Sequence, residues 1–125
     1  MKLILDTHVL LWWLNNNEPL SKEASQVICD SANLIFVSAA TAWEISIKKS
    51  LGKLEAPDDI EDALLVNRFQ PLPITFPHAL LAGQLPRHHD DPFDRLLVAQ
   101  SRIENLTLIT RDQKQLLYDI QAIVA

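Results

Sequence analysis

Glycine is nearly missing from this chain, with two in 125 residues. That excludes the glycine-rich phosphate loops of both familiar kinds, which need several glycines within one turn. Cysteine is scarcer still. Cys29 stands alone, so no intramolecular disulfide can form and a reducing compartment is expected. Cys29 falls in an expected helix and reads as a small apolar filler. A basic excess is also lacking: 11 Lys and Arg face 16 Asp and Glu, a net charge of −5. Such a balance argues against holding nucleic acid by bulk positive surface. Acids gathered at one place would change its meaning, because a bound divalent cation offsets part of the charge. No uninterrupted apolar run reaches bilayer length. Asp6 and His8 break the apolar start, and no small-residue cleavage site follows, so no signal peptide is expected and the cytoplasm is the expected location. What is present is the composition of a globular protein, 48% apolar and 22% charged, at the size of a single domain spanning residues 1–125.

The chain is organised around its first stretch. Lys2-Leu3-Ile4-Leu5 is a short apolar run suited to a buried strand, and it ends abruptly on Asp6. His8 to Leu14 is apolar enough for a buried helix, so the two together predict the opening of a βα unit. Asn15 to Pro19 reads as a polar turn. Ser21 can cap a second helix, with Ala24, Val27 and Ile28 on its inner face and Asn33 at its close. Leu34–Val37 predicts a second buried strand. Ser38 caps a third helix running through Trp43 and Lys49, with Gly52 just past its end. Pro57 and Asp58 open a fourth helix, with Glu61 three residues on as in a capping box and Leu64, Leu65 and Phe69 facing inward. Leu72-Pro73-Ile74 predicts a weak strand that its proline confines to an edge. Thr75 with Pro77 starts a fifth helix, which Pro86 ends. His78 within it is given no function. After the polar loop Arg87–Asp91, Pro92 launches a long helix, Leu106–Ile109 forms a buried strand, and a short helix through Leu116 and Leu117 leads to a last apolar run, Ile120–Val124. Alternating strands and helices predict a three-layer α/β sandwich around a parallel sheet.

That order gives several acids a shared address. In an open parallel sheet the carboxyl ends of the strands face the ligand crevice. Asp6 closes the first strand, and Asp112 lies just past the fourth. Asp94 lies in the first turn of the helix leading into that fourth strand, hence at the same sheet edge. Glu44, about a turn into the third helix, has the reach to join them. Four converging carboxylates repel one another and raise their own pKa values; a hard divalent cation such as Mg²⁺ relieves that repulsion. Each acid also has a plainer use. Asp6 and Asp112 can cap the helices that follow them, and Glu44 can pair with Lys48 four residues on. Asp91 before Pro92 explains itself as an N-cap, and Asp94 three residues later suits the helix dipole.

Four segments carry a resemblance: Leu5-Asp6-Thr7, Ala42-Trp43-Glu44-Ile45, the run Asp91 to Leu97, and Thr110-Arg111-Asp112. In order and spacing the chain resembles the PIN-domain ribonucleases, and within them the VapC-type toxins of bacterial toxin–antitoxin pairs. The resemblance implies a five-stranded parallel sheet flanked by helices, with Asp6, Glu44, Asp94 and Asp112 as catalytic and metal-binding acids. It implies Mg²⁺ or Mn²⁺ as cofactor, with Asp6 and Asp94 the first choice as direct ligands and Glu44 and Asp112 assisting. The implied reaction is RNA hydrolysis by metal-activated water, leaving a 5′-phosphate and a 3′-hydroxyl. It further implies an antitoxin partner whose tail fills the acidic groove, and a homodimer. Substrate phosphate is expected to meet Thr7, Arg95 and Arg111, with Lys48, Lys49, Lys53 and Arg87 adding local positive charge. Asp91 is extra to the set, and His88 and His89 are read as a loop near substrate. Two rival readings remain. One is a PIN-fold interaction module without catalysis, which unchanged RNA cleavage after Asp6→Asn would favour. The other is a phosphatase or phosphoacceptor built on the strand-end Asp6, which a trapped acyl-phosphate would reveal.

Overall fold

Five strands, all parallel, form one sheet, in which the third, second, first, fourth and fifth along the chain lie side by side in that order. The structure is a computed structural model that describes residues 1–16 and 18–125, so Asn17 of the expected polar turn lies outside the described residues. The strands are β1 (Lys2–Leu5), β2 (Leu34–Ser38), β3 (Gln70–Leu72), β4 (Thr107–Thr110) and β5 (Ala122–Val124). The helices are α1 (Thr7–Asn15), α2 (Lys22–Cys29), α3 (Ala39–Ser50), α4 (Ile60–Val66), α5 (Phe76–Gln84) and α6 (Pro92–Ile103). A single 3-10 turn, Gln115–Leu117, follows β4. The expected α/β class, parallel sheet and strand count are all present.

Strand geometry decides the layers. Successive side chains point to opposite faces, so Leu3 and Leu5 enter one core with Ile35, Val37, Ile109 and the inner faces of α1 and α2. Ile4 and Leu108 point the other way, onto Leu97 and Val98 of α6, with Ala82 of α5 and Tyr118. Strands buried on both faces read as continuous apolar runs, as these do. Among the described residues no helix is long and apolar enough to cross a membrane.

Local chemistry sets the helix starts. Ser21, Ser38, Thr75 and Asp91 each accept a hydrogen bond from a backbone N–H in the first turn of the helix that follows, satisfying donors that have no partner within the helix. Gly52, at φ +68°, follows the end of α3 in the left-handed conformation.

Several expected details shift. Helix α2 stops at Cys29, capped by Asp30 rather than carried to Asn33, and Cys29 lies exposed instead of filling the core. The cap of α4 is Asp59, which accepts from the Asp62 N–H, so the expected Asp58–Glu61 box does not form. Asp58 pairs instead with Lys49 at 2.8 Å. Leu65 points into solvent, while Leu64 and Phe69 are buried as expected. The edge strand is Gln70–Leu72, not 72–74, with Pro71 inside it; an edge tolerates a residue that lacks an N–H. The last strand begins at Ala122 rather than Ile120.

Candidate metal centre

Topology places the site. The chain winds from β1 outward through β2 to β3, then returns to lay β4 against the other side of β1. The gap between β1 and β4 is therefore the switch point of the sheet, where a crevice opens beyond the strand carboxyl ends. Asp6 ends β1 there, and Asp112 lies two residues past β4.

Asp6 is held hard. Its N–H donates to the Ile109 carbonyl at 3.0 Å. Its Oδ1 accepts from the Thr7 N–H (2.9 Å) and its Oδ2 from the Thr110 hydroxyl (3.3 Å). The residue is 4% exposed. Burial pushes its carboxyl up to about 6, with nearby His8 and the Thr7 hydrogen bond pulling the other way. Helix capping and presentation of a carboxylate are thus done by one residue.

Asp94 sits at the third position of α6, where the Asp91 cap places it. Asp91 Oδ1 accepts from the Phe93 N–H (2.9 Å) and the Asp94 N–H (3.2 Å), so its N-cap role is realised. The Asp94 carboxyl is pushed up to about 8, first by burial and then by Asp6, Asp91, Glu44 and Asp112 in turn. Side chains from four separate stretches of chain thus act on one carboxyl.

Glu44 is 2% exposed. Its Oε2 takes a 2.6 Å hydrogen bond from Lys48 Nζ, while Oε1 is buried with no partner. The pairing with Lys48 that the four-residue spacing offered is therefore formed. One turn of α3 separates the two residues, and Lys48 lies over the cluster, its own pKa raised chiefly by that hydrogen bond to Glu44.

Asp112 is the most open of the four. Burial works to raise its pKa, but hydrogen bonds from His89 and from the backbone of Lys114 and Gln115 prevail and hold it below the usual carboxylate value. Behind the acids lies a buried relay. The single hydrogen of the Thr110 hydroxyl is shared between Gln115 Oε1 (2.6 Å) and the more distant Asp6 Oδ2, the same oxygen accepts from the Asp112 N–H (3.0 Å), and Gln115 Nε2 donates to the Asp94 carbonyl (3.3 Å).

His89 is the residue that reading the sequence missed. Its Nε2 lies 2.9 Å from Asp94 Oδ2 and 2.9 Å from Asp112 Oδ2. These three residues bring ligand atoms within 4.8 Å of one another. Asp94 is thus grouped with Asp112 and His89, while Asp6 is the first of the neighbouring charges that raise its carboxyl. The available signal was position: His89 stands two residues before the cap of α6, on the loop that enters the site.

The residues expected to meet substrate are otherwise engaged. The Thr7 hydroxyl is buried against that of Thr41 at 3.0 Å. Arg95 donates from all three guanidinium nitrogens to carbonyls of Ala82, Leu85, Pro86 and His89. Arg111 stacks on Trp12 at 4.4 Å while donating to Ala125 O, Glu18 Oε1 and Pro19 O. Lys49 is paired with Asp58, and Arg87 stands 3.8 Å from Asp90 on the surface. Lys53 is exposed past the end of α3. His88 packs edge-on against Tyr118 at 4.9 Å.

A groove of about 300 Å³ opens beside the acids, lined by Asp6, His8, Trp12, Arg111 and Asp112. A larger one of about 540 Å³ lies between α3 and residues 57–61 and includes none of the four acids. Size does not locate the chemistry here; the raised carboxyls and the orphaned Glu44 oxygen do. Carboxylate oxygens in excess, one of them buried and unpaired, form a donor set that fits a hard divalent cation.

The profile of the PIN domain matches residues 3–121. The chain is 29% identical over 115 residues to ribonuclease VapC22 of Mycobacterium tuberculosis, covering 90% of this chain and 88% of that protein. Among solved structures it is similar to VapBC2 from Rickettsia felis bound to a promoter DNA fragment, with TM-score 0.72, 15% identity and 98% of each chain covered. It is similar too to a toxin–antitoxin complex from Klebsiella pneumoniae, with TM-score 0.64, 20% identity, and 98% and 96% of the two chains covered. With its strand order, its acids at the switch point and a family profile spanning nearly its whole length, the chain belongs to the PIN domain family.

Proposed function

We propose that this protein is a divalent-metal-dependent endoribonuclease, the toxin of a toxin–antitoxin pair, acting in the cytoplasm. One observation carries the reading. Asp94 is driven up to about 8 by burial and four other acids, beside a Glu44 oxygen that is buried and unpaired. A protein without a cation to place there would gain by losing some of those charges. The solved neighbours that are toxin–antitoxin complexes support the biological context.

Asp94 and Asp112 offer the facing oxygens for the cation, with Asp6 and Glu44 adding charge from deeper positions. A bound Mg²⁺ or Mn²⁺ would supply Lewis-acid stabilisation of the phosphate and acidify a water. Lys48 balances Glu44 and leaves a positive charge at the rim. Thr110 and Gln115 fix Asp6, Asp94 and Asp112 relative to one another, so the acids need little rearrangement. The groove along His8 and Trp12 gives unpaired RNA a route to the acids, with aromatic faces on which bases can stack. A strand-end nucleophile is disfavoured, because Asp6 is buried and its Oδ1 already accepts from the Thr7 N–H.

Exposed apolar side chains on and just past α3 (Trp43, Ile47, Leu51) and on α5 (Phe76, Leu80) support contact with protein partners, an antitoxin and a second copy of the chain. The test is incubation of the purified protein with total RNA in Mg²⁺, in Mn²⁺ and in chelator, with Asp94→Asn alongside. Cleavage should need metal and vanish in the variant. Cleavage that survives full chelation would sink the proposed mechanism.

A further inference from the structure

The hydrogen bonds around His89 fix which ring nitrogen carries hydrogen. The Asp91 backbone N–H, which can only donate, points at His89 Nδ1 from 3.1 Å. Nδ1 is therefore the acceptor, and in the neutral ring the hydrogen sits on Nε2. That Nε2–H lies 2.9 Å from the Oδ2 atoms of both Asp94 and Asp112. A histidine that ligates a metal through Nε2 has the opposite arrangement, with Nδ1–H donating to an acceptor. Here such a ring would bring two N–H groups face to face.

We propose that His89 is a positioning residue that bridges Asp94 and Asp112 by donating Nε2–H, and that it competes with the divalent cation for those two oxygens. The proposal rests on the metal-centre reading above and deepens it. Asp112 has no spare oxygen to offer instead, since its Oδ1 accepts from the Lys114 N–H (2.8 Å) and the Gln115 N–H (3.3 Å). A cation drawing on Asp94 and Asp112 through their Oδ2 atoms meets oxygens that the imidazole already engages, so the ring turns aside to give them up. The backbone of the loop is meanwhile anchored. The His89 N–H donates to the Tyr118 hydroxyl, the Tyr118 hydroxyl to the Pro86 carbonyl, and Arg95 donates to the His89 carbonyl. Entry of the cation is thus a side-chain rotation rather than a loop movement. The sign of the effect separates this from simple damage: a disturbed site binds metal worse, whereas a site relieved of its competitor binds metal better.

The experiment is titration of the full chain with Mn²⁺ at one fixed pH, reading free Mn²⁺ by its electron paramagnetic resonance. It compares wild type, His89→Ala, His89→Gln and Asp94→Asn, with thermal melts to confirm folding. The expected result is that His89→Ala binds Mn²⁺ about tenfold tighter than wild type. His89→Gln, which keeps an N–H donor, should stay near wild type. Bound Mn²⁺ in the wild type should show no nitrogen coupling. Equal or weaker binding by folded His89→Ala would overturn the proposal, as would nitrogen coupling that disappears in His89→Gln. Should His89→Ala fail to fold, the coupling measurement and His89→Gln still decide. Undiminished Mn²⁺ binding by Asp94→Asn would instead overturn the metal-centre reading itself.

Discussion

Asp94 keeps its proton to about pH 8 in the folded protein, against an ordinary value of 3.8. The folded state therefore binds that proton more tightly than the unfolded chain does. Between those two values stability falls as pH rises, and the full cost is present above the upper one. Asp6, raised to about 6, adds to the slope over the lower part of the window. In chelator, Asp94→Asn should melt above wild type at alkaline pH, with a gain of roughly 5 kcal/mol as the upper bound, and the difference should close towards pH 4. Melts across pH check this, and a gain that persisted in acid would contradict it. The relay behind the acids gives a second prediction: Thr110→Val removes a donor from Asp6 and Gln115 and should cost about 1–2 kcal/mol, read from urea midpoints. At this scale Asp6, Asp94 and Asp112 were legible because they end a strand, begin a helix and follow a strand end, so their address follows from the element, whereas Glu44 was reached only through its distance along α3. His89 was not. Its place depends on how the loop before Asp91 folds back, and nothing in an apolar pattern encodes that. The Glu44–Lys48 contact was visible only as a spacing, with no means of telling a surface pair from one buried over the site.

Among the elements, α5 and α6 depend on one arginine. Arg95 ties the carbonyl end of α5 and the loop after it to the first turn of α6, through a fork that meets four carbonyls. Lysine has the charge but neither the plane nor the number of donors. Arg95→Lys should lower stability by about 2 kcal/mol, measured by denaturant unfolding, and should change RNA cleavage per folded molecule far less than Asp94→Asn does. Helix starts were readable wherever a side chain could cap, as at Ser21, Ser38, Thr75 and Asp91. Ends and edges were harder to read. Strand β3 pairs along one side only, so its register rests on three residues rather than on a strong apolar run. Leu65 reads as core by type and lies outside because α4 is only seven residues long and buries Leu64 alone.

For the whole molecule, the balance of charge is the governing quantity. A chain at −5 repels a polyanion at long range, so its affinity for RNA should depend on the divalent ion bound at the acids. Cation at a hundredfold excess over its dissociation constant should stabilise the fold by about 2.7 kcal/mol. A rise in melting temperature with Mn²⁺ in wild type, absent from Asp94→Asn, is the expected readout. The fold class was legible throughout, since strands apolar on both faces alternating with capped helices have one common solution. The sequence resemblance supplied the strand count.

Strand β1 lies in the middle of the sheet, paired on both sides, and Asp6 continues its hydrogen bonding into β4. The amides of Leu3 to Asp6 should accordingly exchange with solvent only when the entire domain opens. An acid rooted there is as durable as the protein that carries it. Restraint of such an enzyme has to come from covering its mouth, because loosening it from within would cost the whole fold.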